Sequence, residues 1–572
     1  MASKFNALRL ILISGIFIII VAITAWAQIP PPPQEAPSHQ AEQQELPPGR
    51  GFIPPSIDLS HLTETGKTAK FSGSMAPTSW DWRTQSDVTS VKNQGGCGAC
   101  YSFASLGNFE AKMLIDGEGT FDFSENNAKE CNYQETSCGG GNYYEVANLF
   151  SQKGTVLESC DPYVASDVTC NSSCDYQKTL LDWRVICGAS VPTTTDLRDY
   201  IYNNGPVYTT LYAGDANEAS WQSEFNAYDG SYTLYHTTGQ PVNHAVLIVG
   251  WDDAITHAGG TGAWIVKNSW GTSWGGTCGY GAEGGYFTIA YGSANIGMWS
   301  SYLYDWQDYD ENGEILFHDD GGWTSSYGYG STTGWGLCKF VPTQDININR
   351  IEFWTNDVTT DVDVYLYDDF NGISTGSLLA YKLNQSYAEA GYHSVTFDTP
   401  VEITSGNDIY AVVKFTAESY TYPIVADNGY SATQTTYISS SGASGTWYDL
   451  GSGMGDDVAI RIRGTYPLAQ SVDDEDILSP YRFSLSENYP NPFNPNTTIE
   501  YSLRIKSKVS IVVYNLLGQE IRTLVDEVKP AGSYETGWDG TTIDGKEVAT
   551  GVYFYQIRAD DYTETKKMLL LK

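Results

Sequence analysis

The sequence predicts a multidomain, β-rich chain with one helical region early in its globular part. Three observations carry this. The 572 residues exceed what a single core holds at about 150 residues per domain. The texture changes from short apolar runs after Trp80 to Tyr-, Thr- and Gly-rich sequence near Ser300. It changes again across an acidic, proline-bounded stretch, "YPLAQSVDDEDILSPYRF", from Tyr466 to Phe483. Beyond that stretch, "KVSIVVYNLLG" and "GVYFYQIRA" alternate apolar and polar residues between Gly or Asp turns, the pattern of a small β-sandwich. The 57 Gly and 41 Tyr fit many turns and aromatic strands, and the 17% charged residues lie below the usual quarter.

Charge and compartment come next. Lys and Arg number 31 against 68 Asp and Glu, a formal charge of −37, which repels phosphate backbones and anionic lipid and excludes nucleic acid as a partner. Lys4 and Arg9 precede an apolar run from Leu10 to Ile23 that closes on "AWAQ", with Ala25 and Ala27 forming a small-x-small cleavage site before Gln28. Residues 1–27 are therefore expected to be an export signal. Ten cysteines in an exported chain are expected to be disulfides plus whatever is reactive. Residues 28–75, proline-rich and polar at the start, show no helical period and are expected to be a pro-segment or linker.

The reactive candidate lies in "SVKNQGGCGACYSF". The segment "CYSFASLGNFEAKMLIDG" reads as a helix with Phe103, Leu106, Met113 and Leu114 near one face, stopped by Asp116 and Gly117. Cys100 falls in its first turn, where unpaired amides and the helix dipole favour a thiolate. The Gly95-Gly96 pair lets backbone approach a substrate, and the Gln94 amide with the Cys100 N–H could form an oxyanion hole. A thiolate nucleophile needs an imidazole. Of seven histidines, His39 and His61 lie in the pro-segment and His318 and His393 in the later β region. Of the other three, His244 alone opens a buried strand, "VNHAVLIVGWD", followed by "GAWIVKNSWG". A hairpin with Trp251 opposite Trp264 brings Asn268 within reach of His244, with Trp270 as a cover.

These motifs resemble the papain family of cysteine peptidases, and the resemblance covers roughly Ala76 to Ser301. "CGAC" followed by Tyr101, His244 lying 144 residues beyond Cys100, "SWDWR", "FSENNAKECN", "CGGG" and "KNSWGTSWG" carry it. It implies an α+β domain with a helical left lobe and a β-barrel right lobe. By resemblance Cys100 is the nucleophile, His244 the acid/base, Asn268 its orienter and Gln94 the oxyanion donor, with no cofactor and no metal. Gly140 and Gly141 would pair their backbone with substrate, and Thr210, Val242 and Ser301 would line an uncharged pocket that prefers aliphatic or aromatic side chains. The family's pairings imply Cys97 with Cys138 and Cys131 with Cys170. Cys160 with Cys174 and Cys187 with Cys278 are further expectations, leaving Cys338 unpaired. The family's third common bridge is missing, and "TCGYGAEGGYF" is longer than usual. The long helical prodomain is missing too, so latency must come from something simpler, such as "GFIPPSIDL" lying along the cleft.

Residues 302–466, with "GYGSTTGWGLCKF" and "VDVYLYDD", resemble the lectin-like β-sandwich of some bacterial proteases, which makes glycans a candidate ligand class. Residues 467–482 are expected to be a linker. Residues 483–572, with "ENYPNPFNPNTTIEYSL" and "VYNLLGQEIRTLV", resemble the immunoglobulin-like sorting domain of type IX secretion, which implies that machinery as a partner and a secreted or cell-surface location. "DYDENGEILFHD" puts Asp308, Asp310, Asn312, Gly313 and Asp319 at calcium-loop positions, without the usual final Glu or helical flanks. The chain is thus expected to be a secreted, monomeric cysteine endopeptidase acting on proteins and peptides. The alternative is a surface adhesin that uses an inert protease domain as scaffold.

Overall fold

The computed structural model describes residues 32–38, 46–63 and 76–467, apart from 135–136, 373, 429–434 and 443–444, together with 483–571 apart from 487, 504–505, 531 and 560–561. The export signal expected at 1–27 and nearly all of the linker expected at 467–482 lie outside the described residues. The chain divides into two compact units, Met1–Pro467 and Leu468–Lys572.

In the first unit, helices α1 (Cys100–Ile115), α2 (Glu125–Glu130) and α3 (Tyr143–Gln152) build a helical lobe. The Ser124 side chain caps α2 and Asn142 caps α3, each accepting from first-turn amides. The sequence suggests an apolar stripe on α1. The helix is in fact buried nearly all round, and Leu114 is one of its less buried members. Its polar residues tolerate this because each has an internal partner. The Ser102 and Ser105 hydroxyls donate to the carbonyls of Ala99 and Tyr101 at 2.9 and 2.7 Å. Asn108 donates to Pro206 O at 2.7 Å and accepts from the Tyr143 hydroxyl and the Leu303 amide. A buried polar group left without such bonds costs about 1–3 kcal/mol.

The β-rich lobe is an antiparallel sheet of β1 (Lys178–Val185), β2 (Val207–Leu211), β3 (His244–His257), β4 (Gly260–Lys267), β5 (Tyr286–Ala290) and β6 (Met298–Asp308), in the spatial order β5-β4-β3-β2-β6-β1. Trp251 of β3 stands opposite Trp264 of β4, the register the sequence suggests. The sheet then runs on. β1 pairs with Ala390–Ile403, and the ladder continues through Ile346–Thr355 and Ile460–Thr465 to Gly313–Leu316. One layer of the following domain is therefore a continuation of the first domain's sheet. A six-stranded sheet forms the other layer, and Phe353, Val364, Val413 and Ile460 belong to the core of this domain.

Buried charges lock this seam. The Arg461 guanidinium, fully buried, makes a double contact with Asp319 at 2.8–3.1 Å and donates to Ser151 Oγ and Asn148 Oδ1 of α3. Arg463 reaches Glu352 and the Ser151 carbonyl, Arg184 pairs with Glu389, and the His393 ring meets Asp182. This settles the acidic loop: Asp319 is committed to Arg461 and Asp308 to Lys178, and among the described residues no acidic cluster converges as a metal site.

Disulfides join Cys97 to Cys138, Cys131 to Cys170 and Cys160 to Cys174. The expected bridge between Cys187 and Cys278 is absent, and both are free thiols. Cys187 is buried and its thiol faces the Gly297 carbonyl at 3.0 Å, whereas Cys278 packs with Val88, Val91 and Tyr286 on another part of the lobe. Cys338 is free and buried.

The second unit packs a three-stranded and a four-stranded sheet about Ile499, Ile511, Trp538 and Tyr555, a small β-sandwich.

Because Arg461 ties both domains of the first unit, Arg461→Ala should lower its stability by about 3–5 kcal/mol, leaving Asp319 buried and unpaired. Calorimetry should show residues 76–467 unfolding as one transition. Two separate transitions in the unaltered chain would contradict the shared sheet as a stability unit.

Candidate active site

The helix α1 is preceded by Ala99, which offers no capping side chain; the Ser102 amide goes to the Ala99 carbonyl at 3.0 Å, and no side chain caps the amides of the first turn. Cys100 stands at that end, at the bottom of the groove between the lobes, and its Sγ accepts from the Ala245 amide at 3.3 Å. His244 opens β3 and Asn268 follows β4, so the hairpin delivers both to one end of the sheet.

His244 Nε2 and Asn268 Oδ1 are 2.8 Å apart. The same Asn268 atom accepts from the Ser269 backbone amide at 2.8 Å, which can only donate, so that atom is the oxygen. The imidazole proton therefore sits on Nε2. Nδ1 is left with its lone pair and no hydrogen-bond partner. Trp270 covers the ring at 5.0 Å between centroids, with Phe225 against Trp270 at 5.3 Å. Gln94 is buried, its oxygen accepting from the Ser269 hydroxyl and its amide donating to Cys97 O at 2.7 Å.

The groove is filled by the chain's own residues 49–53. The Gly49 carbonyl accepts from Gln94 Nε2 at 3.2 Å and from Trp270 Nε1 at 3.1 Å. Gly141 donates to Gly51 O at 2.8 Å and accepts from Ile53 N at 3.1 Å, while Phe52 N donates to Asn243 O at 3.2 Å. Arg50 binds Ala213 O and Asn226 and lies over Trp270. What this segment offers to the Cys100 sulfur is the Gly51 N–H. A Cβ on Gly51 would stand 1.6 Å from Gly98 O, so only glycine passes here. The expected "GFIPPSIDL" contact is thus present, and it starts two residues earlier.

Phe52 is buried against Trp299, with Val242, Ala245 and Tyr208 in the same cluster. Of the expected pocket residues, Val242 belongs to this cluster. The Thr210 hydroxyl is turned to Met298 O at 2.9 Å, and Ser301 is fully buried in register with Tyr208. Gly141 pairs with the segment, and Gly140 makes room for it, since a Cβ there would meet Gly51 O at 2.8 Å. Sequence reasoning missed Trp299, which lies in a stretch that no motif marks, and Asn243, whose part here is played by its backbone carbonyl and not by its side chain. It also missed Arg50, two residues before Phe52.

Residues 76–305 match the family model of papain family cysteine proteases. This domain belongs to the papain family. Residues 315–461 match the lectin-like domain and 487–571 the secretion system C-terminal sorting domain, which marks the chain for secretion. Cysteine proteinase 1 of Dictyostelium discoideum is 31% identical over 235 residues, 39% of this chain and 63% of that protein. Mouse cathepsin K is 34% identical over 227 residues, 39% of this chain and 64% of that protein. The chain thus spans under two thirds of these relatives. The structure of the cysteine protease and lectin-like domains of Cwp84, a surface layer associated protein of Clostridium difficile, superposes with a TM-score of 0.59. It covers 76% of this chain and 99% of that one at 18% identity, a likeness of fold that spans both domains. Among the described residues no helix is long and apolar enough to cross a membrane.

With residues 49–53 seated, the papain-like site is dry. Burial pushes the Cys100 thiol up to about 11, against the help of the Ala245, Gly51 and Tyr101 amides. Burial likewise holds His244 down to about 3, against the Asn268 hydrogen bond. Both groups are neutral, and the segment must leave before His244 takes a proton. A depressed histidine pKa stabilises the covered state above the ordinary value near 6.5 and loses that contribution as pH falls toward 3. In that window, release of the segment should be favoured by up to about tenfold per pH unit. Labelling of Cys100 by an epoxide inhibitor checks it, taken as the ratio of the intact chain to the chain cleaved between residues 63 and 76. That ratio should rise between pH 6.5 and 4, and a flat ratio would contradict the account.

Proposed function

We propose that the protein is a secreted cysteine endopeptidase, made latent by residues 49–53, that hydrolyses peptide bonds through Cys100, His244 and Asn268. The observation that carries this is the His244 to Asn268 contact beside an uncapped helix start bearing Cys100. The relatives, named as cysteine proteinases and cathepsins, support it. So does the seated segment, because an extended peptide already finds hydrogen-bond partners across this groove.

Once the segment leaves, water reaches the site and the thiol proton passes to His244 Nδ1. Asn268 holds the resulting imidazolium through Nε2, and Trp270 shields that bond. The thiolate attacks the scissile carbonyl. The oxyanion takes the place of the Gly49 carbonyl at Gln94 Nε2, joined by the Cys100 amide. His244 returns its proton to the leaving amine, and the thioester is then hydrolysed by water, which regenerates the thiol. The His244 to Asn268 hydrogen bond and the Ala245 amide on the Cys100 sulfur support this reading over that of an inert scaffold for an adhesin. Glycans as ligands of the lectin-like domain, and the type IX machinery as partner of residues 483–572, complete the proposal, with domain limits near 76, 302 and 483.

Cys100→Ala should abolish peptide hydrolysis by the processed enzyme without unfolding it, since no disulfide is lost. Asn268→Ala should leave measurable turnover, because His244 keeps its place on β3 and loses only its orienting bond. Steady-state kinetics on a peptide library separates the two, and full activity in Cys100→Ala would sink the assignment.

The Phe52 pocket, with Trp299, Val242 and Ala245, carries no charge. Substrates with Phe or Leu presented to it should exceed those with Arg in kcat/KM by at least about 10-fold, the scale of burying an apolar against a charged group. A library profile led by Arg at that subsite would refute this.

A further inference from the structure

The latency assigned above rests on five residues, and a contact that short peels away easily unless its ends are held. Both ends are held, and by the same domain. On the N-terminal side, Gln34–Glu35 pair as a short strand with Tyr327 and Gly328 of β7 (Ser325–Gly328), the edge of three strands of the lectin-like domain to which they add a fourth. Ala36 N donates to Ser326 O at 2.8 Å, and the Ser325 hydroxyl donates to Glu35 at 3.1 Å. On the C-terminal side, the His61 ring stacks on Tyr420 at 3.7 Å and 6°, with its Nε2 2.5 Å from Asn356 O. Between strap and stack, Ile57, Leu59 and Leu62 are buried in a cluster that includes Trp323 of the lectin-like domain.

We propose that the lectin-like domain is the docking surface for the pro-segment, gripping it on both sides of the active site. This proposal rests on the reading of residues 49–53 as the element of latency. The chemistry is that of strand addition plus aromatic stacking. The open edge of β7 receives an extended backbone, and Tyr420 receives a flat ring. With both ends tethered, detachment of the middle returns to a site at high effective concentration, so a weak five-residue contact protects Cys100 persistently. The occupant is the chain's own residues 32–38 and 46–62. The accessory domain therefore acts in latency, whatever it binds once the segment is gone.

The test uses the full uncleaved chain and the rate at which an epoxide inhibitor of cysteine peptidases labels Cys100. Gly51→Ala, which cannot seat the strap, sets the open rate, and the unaltered chain should label far more slowly. Tyr420→Ala and deletion of residues 28–38 should each raise the rate by about 3- to 10-fold, the scale of one stacked ring or one short strand. Tyr420→Phe keeps the stack and should label like the unaltered chain. If the unaltered chain labels as fast as Gly51→Ala, the latency reading fails and the docking proposal falls with it. If Gly51→Ala is fast while Tyr420→Ala and the deletion match the unaltered chain, latency stands and the docking proposal is overturned. The deletion touches no residue of the lectin-like domain, so its outcome decides even where Tyr420→Ala does not fold.

Discussion

Backbone groups that face the groove between the lobes have no partners of their own. The Gly141 amide and carbonyl and the Asn243 carbonyl all point across it, and the bonds they make there go to residues 51–53. A buried amide or carbonyl left alone costs about 1–3 kcal/mol, so the groove is in effect a sheet with one strand missing. The rest of the site follows from that vacancy in the ladder. Glycines at 140, 141 and 51 admit two backbones at close range, the uncapped start of α1 supplies an amide, and the neighbouring apolar cluster accepts one large side chain. Any extended peptide that fills the vacancy is carried past Cys100.

Whether such a peptide is cut depends on which atom meets the sulfur and on water. The pro-segment brings an N–H to Cys100 and seals the site, which leaves a neutral thiol beside a neutral imidazole. In the proposed mechanism, neither the thiolate nor the imidazolium it calls for forms in that state. On the proposed function, reactivity is thus a property of the hydrated groove, and the latency proposed for residues 49–53 acts by desolvation as much as by obstruction.

Much of this was legible in the chain because the informative residues are close in sequence. Cys100 with Gln94, and His244 with Asn268 across one hairpin, are local relations fixed by a helix start and a strand register, and Trp251 opposite Trp264 shows that register directly. Relations between distant strands left no such trace. Nothing in "SVTFDTPVEI" announces that its strand will pair with β1, two hundred residues earlier, and the buried Arg461 reads as a surface charge until α3 is placed beside it. The acidic run at 308–319 misled for the same reason, since spacing alone cannot show that Asp319 already faces an arginine. No motif marks Cys187 or Cys278, and only the packing shows them on separate parts of the lobe.

The ladder that crosses from β1 into Ala390–Ile403 makes the two domains a single hereditary object. A module that ends in its own loops can be copied, shuffled or lost without harm to its neighbours. Here a break between residues 302 and 315 would bare the edge of β1 and unpair the charges around Arg461, leaving a sticky strand and stranded ions on both fragments. A gene rearrangement that separates peptidase from lectin-like domain would carry that cost. Over evolutionary time such a pair must travel together.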